Sequence, residues 1–130
     1  DLFKNKGAVF FRKVEREALL HLGHSDDSFV LSTGGGTPCF GDNLENMKFF
    51  PNTIVVYLKL SIPELVTRLE GEMDQRPLLA GLDKALLPEF LGKHLFERAP
   101  FYEQAHLIVT VLGQTPNEIS QKIQSNLKLL

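Results

Sequence analysis

The chain has one cysteine, no tryptophan and only two methionines in 130 residues. A single thiol, Cys39, builds no internal disulfide framework, so the fold must rest on its apolar core; this usage suits a reducing compartment, and a cytoplasmic location is expected. Cys39 itself reads as a small apolar residue beside a turn. The four histidines (His21, His24, His94 and His106) lack the spacing of metal ligands, and Asp26-Asp27 reads as a solvated turn, so no metal site is expected. No run of about 20 apolar residues occurs, which excludes a membrane-spanning helix. The opening "DLFKNKG" lacks the apolar centre of a signal peptide. Neither sign of charge dominates: 14 Lys and Arg face 16 Asp and Glu, for a net charge of −2. The basic residues are dispersed, so neither nucleic acid nor an acidic lipid surface is an expected partner.

What the chain does have is 43% hydrophobic and 23% charged residues, the balance of one ordinary globular domain with a modest core. Residues 7–22 place Phe11, Val14, Ala18, Leu19 and Leu22 on one helical face. Residues 28–32, "SFVLS", read as a short buried strand that ends at three glycines. Asp42 and Glu45 have capping-box spacing for a short helix. Residues 53–60, "TIVVYLKL", form the best strand pattern. Ser61 with Glu64, and Thr115 with Glu118, have the spacing of two further boxes, each with a proline in the first turn. The polar stretch from residue 70 to 85 reads as a mobile loop with few buried contacts. A helix over roughly 84–104, interrupted near Arg98-Ala99-Pro100, and a third strand over 106–112 complete the pattern. Strands alternating with helices and no hairpin signals imply an α/β fold with a parallel sheet. Ligands in such folds bind beyond the carboxyl ends of strands, where the glycine run sits.

That run, "STGGGTPC", is not a nucleotide loop. Gly36 and Gly41 have Walker A spacing, but Asp42 and Asn43 occupy the positions of Lys and Ser/Thr, and a carboxylate there repels phosphate. The dinucleotide fingerprint fails at Cys39. There remains a turn made of Gly34, Gly35 and Gly36, whose backbone a small molecule can approach closely. Three arginines accompany it: Arg12 in the first helix, Arg76 in the polar loop and Arg98 late in the long helix.

"FFRKVE", "LSTGGG", "RPLLAG" and "ERAPFY", in this order across nearly the whole chain, resemble the shikimate kinase family, P-loop kinases related to nucleoside monophosphate kinases. The resemblance implies a three-layer α/β/α P-loop kinase fold, and transfer of the ATP γ-phosphoryl group to the 3-hydroxyl of shikimate with Mg2+. It implies that Arg12 and Arg98 hold the shikimate carboxylate. Gly34, Gly35 and Gly36 would meet its hydroxyls, and Glu15 would orient Arg12. Arg76 would act on the transferring phosphoryl group and belong, within residues 72–92, to a lid over ATP. Gln114 would line the adenine; Arg68 is left open as a second adenine contact, because its spacing to Arg76 is one residue longer than in many members. The sequence also departs from the family at Gly7-Ala8 and Phe10, where a Gly-Glu pair and another glycine are usual. The Walker A loop, its strand and the acidic motif of the family are expected upstream of Asp1. Residues 1–130 therefore read as one partial kinase domain, truncated at its N-terminus, inactive alone and monomeric when complete. Two rival readings stand beside this: another small-molecule kinase of the superfamily, such as a gluconate kinase-like enzyme, and a non-catalytic binding domain that lost its nucleotide loop.

Overall fold

A computed structural model describes residues 7–129; residues 1–6, which include most of the stretch read for a signal peptide, and Leu130 lie outside the described residues. The described chain divides into two compact units, residues 7–55 with 104–106, and residues 56–103 with 107–129.

In the first unit, helix α1 spans Ala8–Gly23 and helix α2 spans Asn43–Phe49, with a 3-10 turn at Thr37–Cys39 between them. The apolar spacing of α1 buries Leu19, while Phe11 and Val14 are half-buried and Ala18 and Leu22 stay exposed. The two helices pack together, and Leu44 and Met47 of α2 are buried. Gly23 ends α1 flush against the Phe50 ring, where any Cβ would overlap the aromatic carbons. Asp42 precedes α2 as expected, but its side chain caps nothing. Both its oxygens accept instead from Arg16 of α1, at 3.0 and 3.2 Å. A bidentate guanidinium is the stronger partner for a carboxylate than one backbone N–H, and it holds the Asp42 carboxyl below the usual carboxylate range.

The expected strand at 28–32 does not form among the described residues. Phe29, Val30 and Leu31 carry no regular structure, and Val30 is 98% exposed. The composition suits a strand, but a strand exists only where a neighbour completes its hydrogen-bond ladder, and no described strand pairs with it.

The second unit holds a two-stranded parallel sheet, β1 (Val56–Lys59) beside β2 (Leu107–Thr110), in register from Val56 opposite Leu107 to Lys59 opposite Thr110. Parallel pairing requires a crossover, which here runs through helices α3 (Ile62–Leu69) and α4 (Leu87–Tyr102). Helix α5 (Pro116–Leu127) follows β2. Thr115 and Glu118 make the full reciprocal box expected of them. Ser61 accepts from the Glu64 backbone at 3.3 Å, but the Glu64 carboxylate faces Arg68 instead of returning the bond, so this box is half made. Pro100 lies inside α4 without ending it: the helix continues to Tyr102, and the Glu103 N–H still bonds the Ala99 carbonyl at 2.8 Å. One proline in the last turn removes a single N–H donor, which does not undo the turns before it.

The polar stretch after α3 is better packed than its composition suggests. It forms 3-10 turns at Met73–Gln75 and Lys84–Leu86, and it buries Met73 and Leu79 against Leu87, with Val66, Leu69, Leu82, Phe90 and Leu91 around them. Three apolar residues spaced through a polar sequence reach one patch because successive turns fold the chain back on itself. Leu87 has no exposed surface. Leu87→Ala is therefore expected to cost about 2–5 kcal/mol in chemical denaturation. Phe96→Ala, at a side chain that is 83% exposed on the same helix, should change stability by less than about 0.5 kcal/mol.

Candidate functional site

Residues 12 and 15 lie one turn apart on α1 and so share a face. Arg12 Nη1 donates to Glu15 Oε1 at 2.7 Å, and the second oxygen, Oε2, accepts from Thr37 Oγ1 at 2.9 Å. The Arg12 guanidinium carbon stands 5.4 Å from the centre of the Phe11 ring, a cation–π arrangement. The guanidinium also lies directly against Gly36, where a Cβ would overlap Nη2. None of Gly34, Gly35 and Gly36 adopts a positive φ. The requirement for glycine at 36 is thus close approach, and the group that approaches is the protein's own arginine. The turn is tied by Thr37 N–H to Gly34 O and Cys39 N–H to Gly36 O, each 3.1 Å. Asn43, fully buried at the start of α2, donates from Nδ2 to Thr37 O at 2.9 Å. Beside this network a cavity of about 180 Å3 opens between Glu15, Leu19, Thr33, Gly34 and Thr37.

The second unit contains a larger cavity, about 410 Å3. Its walls are mainly apolar, with Leu58, Leu69 and Phe90 among them, and Arg76, His94 and Arg98 supply nitrogen groups. Arg76 is over half exposed and donates to Glu72 at 3.3 Å. His94 packs on Phe90 with ring centres 5.2 Å apart. Burial, then the Arg98 charge, disfavours the imidazolium and holds its pKa below the ordinary 6.5, against a smaller opposing effect of Glu97. Gln114 is elsewhere: its side-chain oxygen accepts from Leu112 N–H, closing the turn after β2. Arg68 faces Glu64 at 3.8 Å.

The expected site residues thus fall into groups. Arg12, Glu15 and Gly36 form one connected cluster in the first unit, with Gly34 beside it. Arg76 and Arg98 share one cavity in the second, and Gln114 stands outside that cavity's walls. Three participants carried no readable signal or an overlooked one. Thr37 meets a partner 22 positions away, and Asn43 is marked only by following the turn. His94 was legible as the residue one turn before Arg98. Among the described residues no group of three or more His, Cys, Asp or Glu side chains is placed to hold a metal ion, and no helix is long and apolar enough to cross a membrane.

Parallel strands joined through helices make this an α/β protein, with cationic side chains at a glycine turn in one unit and at a cavity in the other. Comparison with known proteins narrows this. The family model "Shikimate kinase" matches residues 1–128. A shikimate kinase of Flavobacterium psychrophilum is 40% identical over 123 residues, covering 95% of this chain and 71% of the relative. One from Bacteroides fragilis is 37% identical over 131 residues, covering 100% of this chain and 72% of the relative. The 1.7 Å crystal structure of shikimate kinase from Bacteroides thetaiotaomicron aligns with a TM-score of 0.82 and 36% identity, over 98% of this chain and 72% of that one. The chain belongs to the shikimate kinase family.

The depressed pKa of His94 has a signed consequence. The unfolded chain protonates this histidine first as pH falls, so its contribution leaves stability unchanged well above 6.5 and lowers it below that value. The His94 ring resonance should titrate below 6.5 in proton NMR, and His94→Phe should flatten the loss of stability between about pH 7 and pH 5. A resonance titrating above 6.5 would contradict the burial described here.

Proposed function

We propose that residues 1–130 carry the acceptor-holding part of a shikimate kinase, the enzyme that transfers the γ-phosphoryl group of ATP to the 3-hydroxyl of shikimate. The observation that carries this reading is the Arg12 guanidinium, braced by Glu15 and seated on the bare backbone of Gly36, in a chain matched by the family model over residues 1–128. A guanidinium fork with one edge on Glu15 keeps its remaining N–H groups for a ligand carboxylate, and charge-assisted bonds of this kind contribute about 1.5–3 kcal/mol each. In this reading Arg12 and Arg98 bind the shikimate carboxylate, and the backbone of Gly34, Gly35 and Gly36 meets its hydroxyls. Arg76 stabilises charge on the transferring phosphoryl group. Residues 72–92 act as the lid, and Gln114 lies beside adenine.

The residues present do not by themselves fit magnesium and the triphosphate. The motif G-x-x-x-x-G-K-[ST] does not occur in residues 1–130, and among the described residues no group of three or more His, Cys, Asp or Glu is placed to hold a metal ion. Phosphoryl transfer depends on those positioning and electrostatic groups. The 130-residue chain alone should therefore bind shikimate without forming shikimate 3-phosphate.

Titration calorimetry with shikimate tests the assignment. The unmodified chain should bind, and Arg12→Ala or Arg98→Ala should each weaken binding by about 10- to 150-fold. No binding, or binding indifferent to both substitutions, would overturn it; tighter binding of gluconate than of shikimate would move the chain to a sugar-acid kinase. Gly36→Ala should keep the fold, since the end of a flexible arginine can yield. It should nevertheless weaken shikimate binding by about tenfold as the guanidinium is displaced.

A further inference from the structure

The Glu15 carboxylate is engaged on both oxygens, by Arg12 on one side and by Thr37 on the other. The two bonds differ in what they can fix. Arg12 and Glu15 are neighbours on one helix, with side chains 25% and 19% exposed, so their bond by itself ties neither of them to the rest of the chain. Thr37 is only 3% exposed and belongs to the turn, and its hydroxyl pins the second oxygen to a part of the chain outside α1. Its own backbone is held in turn, since the fully buried Asn43 donates to Thr37 O at 2.9 Å. Once the carboxylate plane is fixed, Arg12 Nη1 is committed to Glu15, and Nη2 falls on the surface that Gly36 leaves bare.

We infer that Thr37 is a positioning residue for Arg12: acting through Glu15, and itself anchored by Asn43, it sets the direction in which the guanidinium meets an anionic ligand. This rests on the reading of Arg12 as a ligand for the shikimate carboxylate and adds the residue that aims it. Thr37→Val keeps the shape and removes the hydroxyl, leaving Glu15 Oε2 without its donor and the carboxylate free to turn. Thr37→Ser restores the donor.

The test is a double-mutant cycle read by calorimetry with shikimate as the probe. Thr37→Val should weaken binding by about tenfold, and Thr37→Ser should stay within about twofold of the unmodified chain. In an Arg12→Ala background, Thr37→Val should cause no further loss, because nothing is left to aim. Equal losses in both backgrounds would mean that Thr37 merely supports the turn, and would overturn the inference; so would undiminished binding by Thr37→Val. If Thr37→Val proves unfolded by circular dichroism, Thr37→Ala carries the same comparison. Absence of shikimate binding by the unmodified chain would overturn this inference together with the functional reading, whereas binding that ignores residue 37 overturns this inference alone.

Discussion

The Glu15 carboxylate is the constraint on which the first unit's site depends. It faces a cation from its own helix and a hydroxyl from the glycine turn, at 2.7 and 2.9 Å, so helix and turn cannot shift independently without losing one bond. The carboxylate is part-buried, and either oxygen that lost its partner would be only partly solvated, so both bonds favour the observed arrangement. The same contacts keep the arginine against the turn. Gly36 completes the arrangement by subtraction, since any side chain there would occupy the space of the guanidinium.

Cations in the second unit work in different surroundings. Arg76, His94 and Arg98 border a largely apolar cavity of about 410 Å3. Low polarizability in such walls strengthens the pull of a guanidinium on an anion, and it makes a third positive charge costly. The imidazole of His94 answers by giving up its proton more readily than a free histidine does. Two permanent charges and one titratable group thus border one cavity, and the imidazole is shifted first by burial and second by the Arg98 charge.

Local chemistry was largely legible in the sequence where it was satisfied within a few residues, the half-made Ser61–Glu64 box being an exception. The Thr115–Glu118 box, the helices around Arg12 and Arg98, and the strands that became β1 and β2 all follow from short-range pattern. Expectations failed where a distant partner decides. Asp42 has the spacing of a cap and spends both oxygens on Arg16, 26 positions earlier. Residues 28–32 have the composition of a strand and no strand to pair with among the described residues. The polar stretch after α3 looked loose, yet Met73 and Leu79 reach Leu87 because the intervening turns bring them there. In the candidate site, Arg12 and the glycines were marked by residue type and position and Glu15 by the family resemblance, while Thr37 and Asn43 were invisible because their contacts are set by who stands opposite.

The glycine run shows why motif and geometry must be argued separately. A run of three glycines invites an explanation by left-handed backbone, and glycines at 7, 41, 81 and 113 do adopt positive φ. Those at 34–36 do not. At Gly36 the constraint is volume: an alanine is conformationally permitted there and its Cβ would meet the Arg12 guanidinium. A guanidinium flush with a bare backbone can present its outer edge and neighbouring peptide groups to the same small ligand. A side chain at residue 36 would hold the two apart. The turn and the arginine thus form one contact cluster made from two distant stretches of sequence, joined by the bonds of Glu15 to Arg12 and to the hydroxyl of Thr37.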